Sequence, residues 1–292
     1  MTGSTLMSLV TALMSLWGFP LGQAYMFVDL SHVQNMTTLY WPGVPTFNRT
    51  IVAAGTSANG IWIEVGAFSS GEHGGTHIDV PRHFIENGMD LKDFPLERTV
   101  AEGVVIDCSA EAERNADYAV TKEKIEQWEE KHGRIPNEAA VLFRFGYAKK
   151  FWEPEKYLNT QQLDDATTYH FPSVSLEAVK WLVKSRNLKM IGMDVPSPDP
   201  PTDLTYPVHR LVLPLNIMIM ENVNIVPSLP PRNFRLHAAP IRIENGTGVQ
   251  TRIYAMLYER MNDGSPRLSS PLFVSFVVCL SLVSAVVKII SQ

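Results

Sequence analysis

Short apolar runs bounded by turn residues dominate the chain, and helical spacing shows in only two stretches. Tyr25 to Leu30 carries apolar residues and runs into Asp29-Leu-Ser-His, which predicts a strand followed by a turn. Ile51 to Phe68 reads as two strands around Asn59-Gly60, a hairpin signal. Val100 to Asp107, Ala139 to Phe145, Met190 to Val195 and Ile217 to Met220 are the near-continuous apolar runs of buried strands, and Thr251 to Tyr258 has alternating character. Thr121 to His132 is a helix with Thr121 as its cap, and Ser175 to Arg186 is a helix beginning after Pro172. Between the first strand and the hairpin, Trp41-Pro42-Gly43 and Pro45 forbid regular structure over Thr37 to Phe47 and predict a rigid loop. Strands interspersed with a few helices, without repeats or low-complexity linkers, indicate an α/β class.

The two ends break this pattern. Leu6 to Leu21 is apolar, uncharged and followed by Gly22-Gln23-Ala24, so residues 1–24 read as a signal peptide. Leu272 to Val287 is a second apolar run behind a small, polar cluster from Asn262. Residues 261–292 are therefore expected to be a polar spacer and hydrophobic tail, a GPI-attachment signal or a C-terminal transmembrane anchor. Sequons at Asn35, Asn48 and Asn245 extend the same expectation to a glycosylated protein of the secretory pathway, extracellular or at the cell surface and tethered to a membrane. That leaves residues 25–260 as one domain. Its 45% apolar and 19% charged residues can build a sizeable core. A net charge of −5 without a basic run excludes nucleic acid as a natural partner. The only cysteines are Cys108 and Cys279, the second inside the tail, which excludes a disulfide framework or a cysteine zinc site; Cys108 reads as a buried apolar residue.

The candidate chemistry is concentrated between His73 and His83. His73, His77, Asp79 and His83 bring three of the eight histidines beside one carboxylate, and imidazole and carboxylate are the ligands that zinc or manganese accepts. Gly74-Gly75 and Pro81 argue against a helix, whereas in extended chain all four positions share one parity and one face. A solvated loop that happens to hold three histidines is the plain alternative. No Gly-x-Ser-x-Gly elbow supports a serine nucleophile, and the scattered glycines form no phosphate-binding loop.

The segment His73-Gly-Gly-Thr-His77-Ile-Asp79-Val-Pro-Arg-His83 resembles the H-x-G-T-H-x-D-x-P-x-H hallmark of the cyclase family, which includes bacterial kynurenine formamidase and isatin hydrolase. Asp29-Leu-Ser-His, Trp41-Pro-Gly, Phe171-Pro-Ser-Val-Ser, Gly192-Met-Asp-Val-Pro-Ser197, Pro240-Ile-Arg-Ile and Gly248-Val-Gln-Thr-Arg carry the similarity from Asp29 to Tyr258. The resemblance implies a swivelling β/β/α domain with a mixed sheet and a metal-dependent hydrolase, usually oligomeric. It also implies that His73, His77 and Asp79 hold a first ion, and that Asp79 bridges to a second held by His209 and Glu221. One or two ions, zinc or manganese, are compatible with it. His83, unligated in this scheme, has the intrinsic pKa to shuttle protons.

Trp41 and Phe47 are candidates for an aromatic wall around an arylamide substrate, and Ser197 for a hydrogen bond to it. The expected activity is that of an arylformamidase, taking N-formylkynurenine to kynurenine and formate. A cyclic-amide hydrolase of the isatin type is the second reading, and a surface binding protein that lost catalysis the third. At Val44 the chain departs from the bacterial formamidase pattern, where an Asp is usual.

Overall fold

The computed structural model describes residues Tyr25–Tyr258, and in it the apolar runs pair into one mixed sheet of nine strands. In chain order the elements are β1 (Tyr25–Asp29), β2 (Asn48–Thr56), β3 (Trp62–Ser69), β4 (His77–Asp79), β5 (Val100–Asp107), α1 (Ser109–Arg114), β6 (Ala119–Val120), α2 (Lys122–His132) and β7 (Ala140–Arg144). They continue with α3 (Pro154–Tyr157), β8 (Ser173–Val174), α4 (Leu176–Ser185), β9 (Met190–Met193), α5 (Pro207–Val212), β10 (Met218–Glu221), β11 (Phe234–His237), β12 (Gly248–Gln250) and β13 (Tyr254–Tyr258). The strand order is β1-β13-β11-β5-β7-β9-β10-β4-β12. The expected α/β class with a mixed sheet is the observed one.

The four most apolar runs form the centre, where β5, β7, β9 and β10 are parallel. Parallel neighbours need crossovers, and α2, α4 and α5 lie on the connections between successive central strands. Alternation then sends side chains into two separate cores. Val104, Ile106, Val141, Phe143, Ile191, Met193 and Ile219 pack on the helix side with Ile125, Trp128, Val179, Leu182 and Val212. Val105, Leu142, Met190, Met218 and Met220 pack on the opposite side with Leu30, Ile78, Val80 and Leu236. A strand buried on both faces has no polar alternation, which is why these runs read as continuous.

Both expected helices form, with the expected caps. Thr121 Oγ1 accepts from Lys124 N at 3.3 Å, and α2 ends on Gly133 at φ 83°. Ser175 Oγ accepts from Ala178 N at 3.2 Å, and Ala178, Val179 and Leu182 form the buried stripe of α4. Trp41-Pro42-Gly43 is a tight turn, closed by Val44 N to Trp41 O at 3.0 Å with Gly43 at φ 83°. The β2–β3 hairpin forms its own two-stranded sheet outside the main one, with Ile51, Trp62 and Phe68 exposed.

The signal segment (1–24) and the spacer and tail (261–292) lie outside the described residues. Among the described residues no helix is long and apolar enough to cross a membrane. The sequon positions have local explanations. Asn35 closes a turn, its Oδ1 accepting from Thr37 N and from Thr37 Oγ1, both at 2.7 Å. Asn48 opens β2, and Asn245 occupies a left-handed turn position at φ 60°.

Candidate metal centre

The site is assembled where β4 pairs antiparallel with β10. The register sets Glu221 opposite His77 and Ile219 opposite Asp79. Ile78 and Met220 face the second core, so His77, Asp79 and Glu221 emerge together on the helix side. α5 supplies His209 from that side, after Tyr206 in the left-handed region at φ 49° and Pro207 in the first turn. Shared parity does not bring the sequence motif together, because only His77–Asp79 is strand. Gly75, at φ 60°, turns the chain between His73 and His77, and a Cβ there would lie 2.5 Å from Gln34 Oε1. Pro81–His83 is a 3₁₀ turn that folds His83 back until its ring stacks on His73, centroids 3.8 Å apart.

His77, Asp79, His209 and Glu221 are buried, whereas His73 and His83 are half-buried at the edge. His77 Nε2 lies 3.5 Å from Asp79 Oδ1 and 3.4 Å from Glu221 Oε2. His209 Nε2 lies 3.4 Å from Asp79 Oδ2 and 3.3 Å from Glu221 Oε1. His73 Nδ1 is 2.7 Å from Asp79 Oδ1, and its Nε2 is 2.8 Å from Thr247 Oγ1. Ligand-type atoms of His77, Asp79 and Glu221 fall within 4.8 Å of one another, as do those of His73, Asp79 and His83. The geometry thus joins all six residues through Asp79, but it groups His83 with His73 and places His77 beside Glu221.

The electrostatics are those of buried carboxylates answered by imidazoles: burial works against charge on His73 and His209, but Asp79 beside the first and Asp199, Asp79 and Glu221 beside the second outweigh it and raise both. Burial raises Glu221 to about 7, and the neighbouring Asp79 carboxylate adds to the shift. Burial also works against charge on Asp79, but the surrounding imidazoles, His73 foremost, outweigh it and hold Asp79 well below the carboxylate range. Burial lowers His77 to about 4 and His83 to about 3. His77 Nε2, Asp79 Oδ2 and Glu221 Oε1 are buried without a hydrogen-bond partner. Unpaired buried acceptors are costly, and three on adjoining side chains are tolerated only if a proton or cation lies among them. Two imidazoles and two carboxylates in that arrangement fit a divalent cation.

Above the cluster opens a cavity of about 320 Å³. Trp41 lines it and meets Tyr169 edge-on at 5.5 Å; Ser197 lines it too. Phe47 does not: it stacks on Phe68 of the hairpin at 5.8 Å and is not among the lining residues. Phe84, Tyr169 and Tyr206 also line the cavity, and sequence reasoning did not select them. Nor did it select Asn222, whose Nδ2 donates to Gly75 O at 2.9 Å, or Thr247. Thr247 was visible only as the third residue of a sequon, and nothing in the linear pattern marked its contact with His73.

Fold and site together define an α/β protein with a buried cluster of histidine and carboxylate side chains beneath an aromatic cavity. The chain belongs to the cyclase family: the family model described as "Putative cyclase" matches residues 28–200. Isatin hydrolase of Roseibium aggregatum is 31% identical over 199 residues, 64% of this chain and 72% of that protein. Kynurenine formamidase of Erythrobacter litoralis is 26% identical over 218 residues, 75% of this chain and 88% of that one. Among solved structures, isatin hydrolase A from Ralstonia solanacearum matches with a TM-score of 0.72 at 31% identity, covering 88% of this chain and 98% of its own.

These relatives correct one group of expectations. The partner expectation of a C-terminal membrane tether and the location at a cell surface are not supported, nor are glycosylation and the GPI anchor. The matched relatives are bacterial hydrolases of small molecules, and no helix among the described residues can cross a membrane. The physical reason is that short polar motifs are cheap signals. Asn35 closes its own turn and Thr247 reaches across the fold to His73, so two of the sequons contain residues with structural uses of their own.

Proposed function

We propose that the chain is a cation-dependent hydrolase that opens the amide bond of a neutral, ring-fused aromatic substrate of the isatin type. The observation that carries this reading is the charge pattern of the cavity. Apart from the cation cluster its lining is Leu39, Tyr40, Trp41, Val44, Phe84 and other uncharged residues, the polar Ser197 and Asn222 included, and no Lys or Arg is among the described residues that line it. N-formylkynurenine carries an ammonium and a carboxylate, which would be stranded in such surroundings. Val44 presents an apolar side chain where the formamidase pattern has an acid. A flat neutral arylamide leaves no charge unpaired and can lie along Trp41 and Tyr169. Arylformamidase activity, the leading expectation from sequence, becomes the second reading.

His77, Asp79, His209 and Glu221 would hold the cation, with His73 joining them through Asp79. When bound, a divalent cation supplies Lewis acidity and makes water a competent nucleophile near neutral pH. His83, stacked on His73 where it lines the cavity, would take the proton of the attacking water and return it to the leaving nitrogen as the C–N bond breaks. Ser197 Oγ accepts from Asp199 N at 3.1 Å, so its own proton is free for a substrate oxygen.

The test compares kcat/KM for isatin with that for N-formylkynurenine on protein loaded with manganese or zinc. A preference for isatin of at least about 100-fold is expected from one stranded charge pair; a preference for the formamide would refute the neutral-substrate reading. His83→Ala should retain the cation and lose about 10²–10⁴-fold in kcat. Normal turnover by that variant would remove the proton-transfer role.

A further inference from the structure

Two buried imidazoles face the cation cluster, and the nitrogen each can offer is set by what its other nitrogen touches. For His77 that partner is the Gly75 carbonyl, 2.9 Å from Nδ1, which leaves Nε2 towards Asp79 and Glu221. For His209 it is Asp199, a buried carboxylate with no part in the chemistry described above. Asp199 Oδ2 lies 2.6 Å from His209 Nδ1 and accepts the His209 backbone N–H at 3.2 Å, while Oδ1 accepts Val208 N–H at 2.6 Å. Three N–H groups thus converge on two oxygens that can only accept. The imidazole proton is thereby held on Nδ1, and Nε2 is turned to Asp79 Oδ2 and Glu221 Oε1.

We propose that Asp199 is the positioning residue that fixes His209 as an Nε2 donor to a divalent cation. The inference rests on the cation reading of the site. It also explains why a carboxylate is buried beside the start of α5, a helix whose first residues carry His209 itself. An ordinary helix-start role would engage the two backbone N–H groups; the shortest contact to Oδ2 is instead the ring nitrogen.

Asp199→Asn exchanges one acceptor for a donor and is nearly isosteric. If its NH2 faces His209 Nδ1, the ring proton is forced onto Nε2, where a cation cannot bind. If its NH2 faces Val208 N–H, two donors oppose each other and the turn carrying His209 is displaced. Either way the site loses a preset ligand, and loss of such an outer partner weakens metal affinity about 10–100-fold.

The experiment titrates the wild type and D199N with Mn²⁺ alone by calorimetry and records thermal unfolding of both in chelator. Long-range ¹H–¹⁵N spectra of the Zn²⁺-loaded wild type read the imidazole tautomers. The expected result is a Kd for Mn²⁺ raised 10–100-fold in D199N and a His209 proton on Nδ1. Equal Kd values overturn the inference, including the case in which D199N is merely less stable in chelator, the mark of a helix-start role. A His209 proton on Nε2 overturns it as well, and that measurement decides the matter should D199N not fold. A wild type that takes up neither cation removes the cation reading and this inference together, whereas binding by both proteins alike removes the inference alone.

Discussion

Gly248→Ala is a test of the site that alters no ligand atom. Gly248 lies on β12 opposite Asp79, and its φ is outside the left-handed region, so alanine is not excluded by backbone conformation. The obstacle is space. A Cβ there would stand 2.5 Å from His73 Cε1, 3.0 Å from His73 Nδ1 and 2.5 Å from Ile78 O. Carbon atoms rest at about 3.5–4.0 Å, so roughly 1 Å must be found. Ile78 O is held in the sheet, so the His73 ring is the side that yields, giving up its 2.7 Å contact with Asp79 and its 2.8 Å contact with Thr247. Overpacking of this kind costs about 1–3 kcal/mol, which for a domain of this size lowers Tm by about 2–4 °C per kcal/mol. A misplacement of about 1 Å in a catalytic constellation can cost on the order of 10²-fold in rate. Gly246→Ala is the control, because its Cβ would meet Leu91 Cδ1 at 2.7 Å and Ile243 Cβ at 2.9 Å instead of His73. Both variants should lose stability by differential scanning fluorimetry, but only G248A should lose cation affinity and turnover. If G248A binds Mn²⁺ and turns over substrate like G246A, His73 is not part of the working site.

Two further outcomes follow from the same geometry. In chelated protein, Glu221 titrates near 7 when folded and near 4.5 when unfolded, so its ionisation removes stability as pH rises between those values. Glu221→Gln abolishes that loss and should gain about 3 kcal/mol over the wild type between pH 4 and pH 8 in denaturant titrations, while losing cation binding; parallel stability curves would show that Glu221 does not carry the charge strain. Trp41→Ala removes the aromatic wall facing Tyr169 and should raise KM for an aromatic substrate about 2–10-fold with kcat little changed. An unaltered KM would place the substrate elsewhere in the cavity.

Much of the scaffold was legible because burial on two faces leaves a plain mark. The runs at Val104–Ile106, Val141–Phe143 and Ile217–Met220 are apolar at successive positions since each strand feeds both cores. Thr121 and Ser175 were readable as caps because capping is local. β11 and β12 escaped notice. They have four and three residues, and such lengths form strands only when neighbours supply the pairing.

The sequence by itself determined the chemical inventory of the site: His73, His77, Asp79 and His83 within one glycine-broken stretch, and the α/β class around it. It did not determine the arrangement. Shared parity suggested one extended face, whereas Gly75 and the Pro81 turn bring His73 and His83 together by reversing the chain. Glu221 reaches His77 through the β4–β10 register, in which a slip of one residue would bury it in the other core. His209 depends on Asp199, ten residues before it, and His73 on Thr247 from across the fold. Such contacts follow no helix or strand period and leave no periodic trace in the chain, so only the folded structure could assign them.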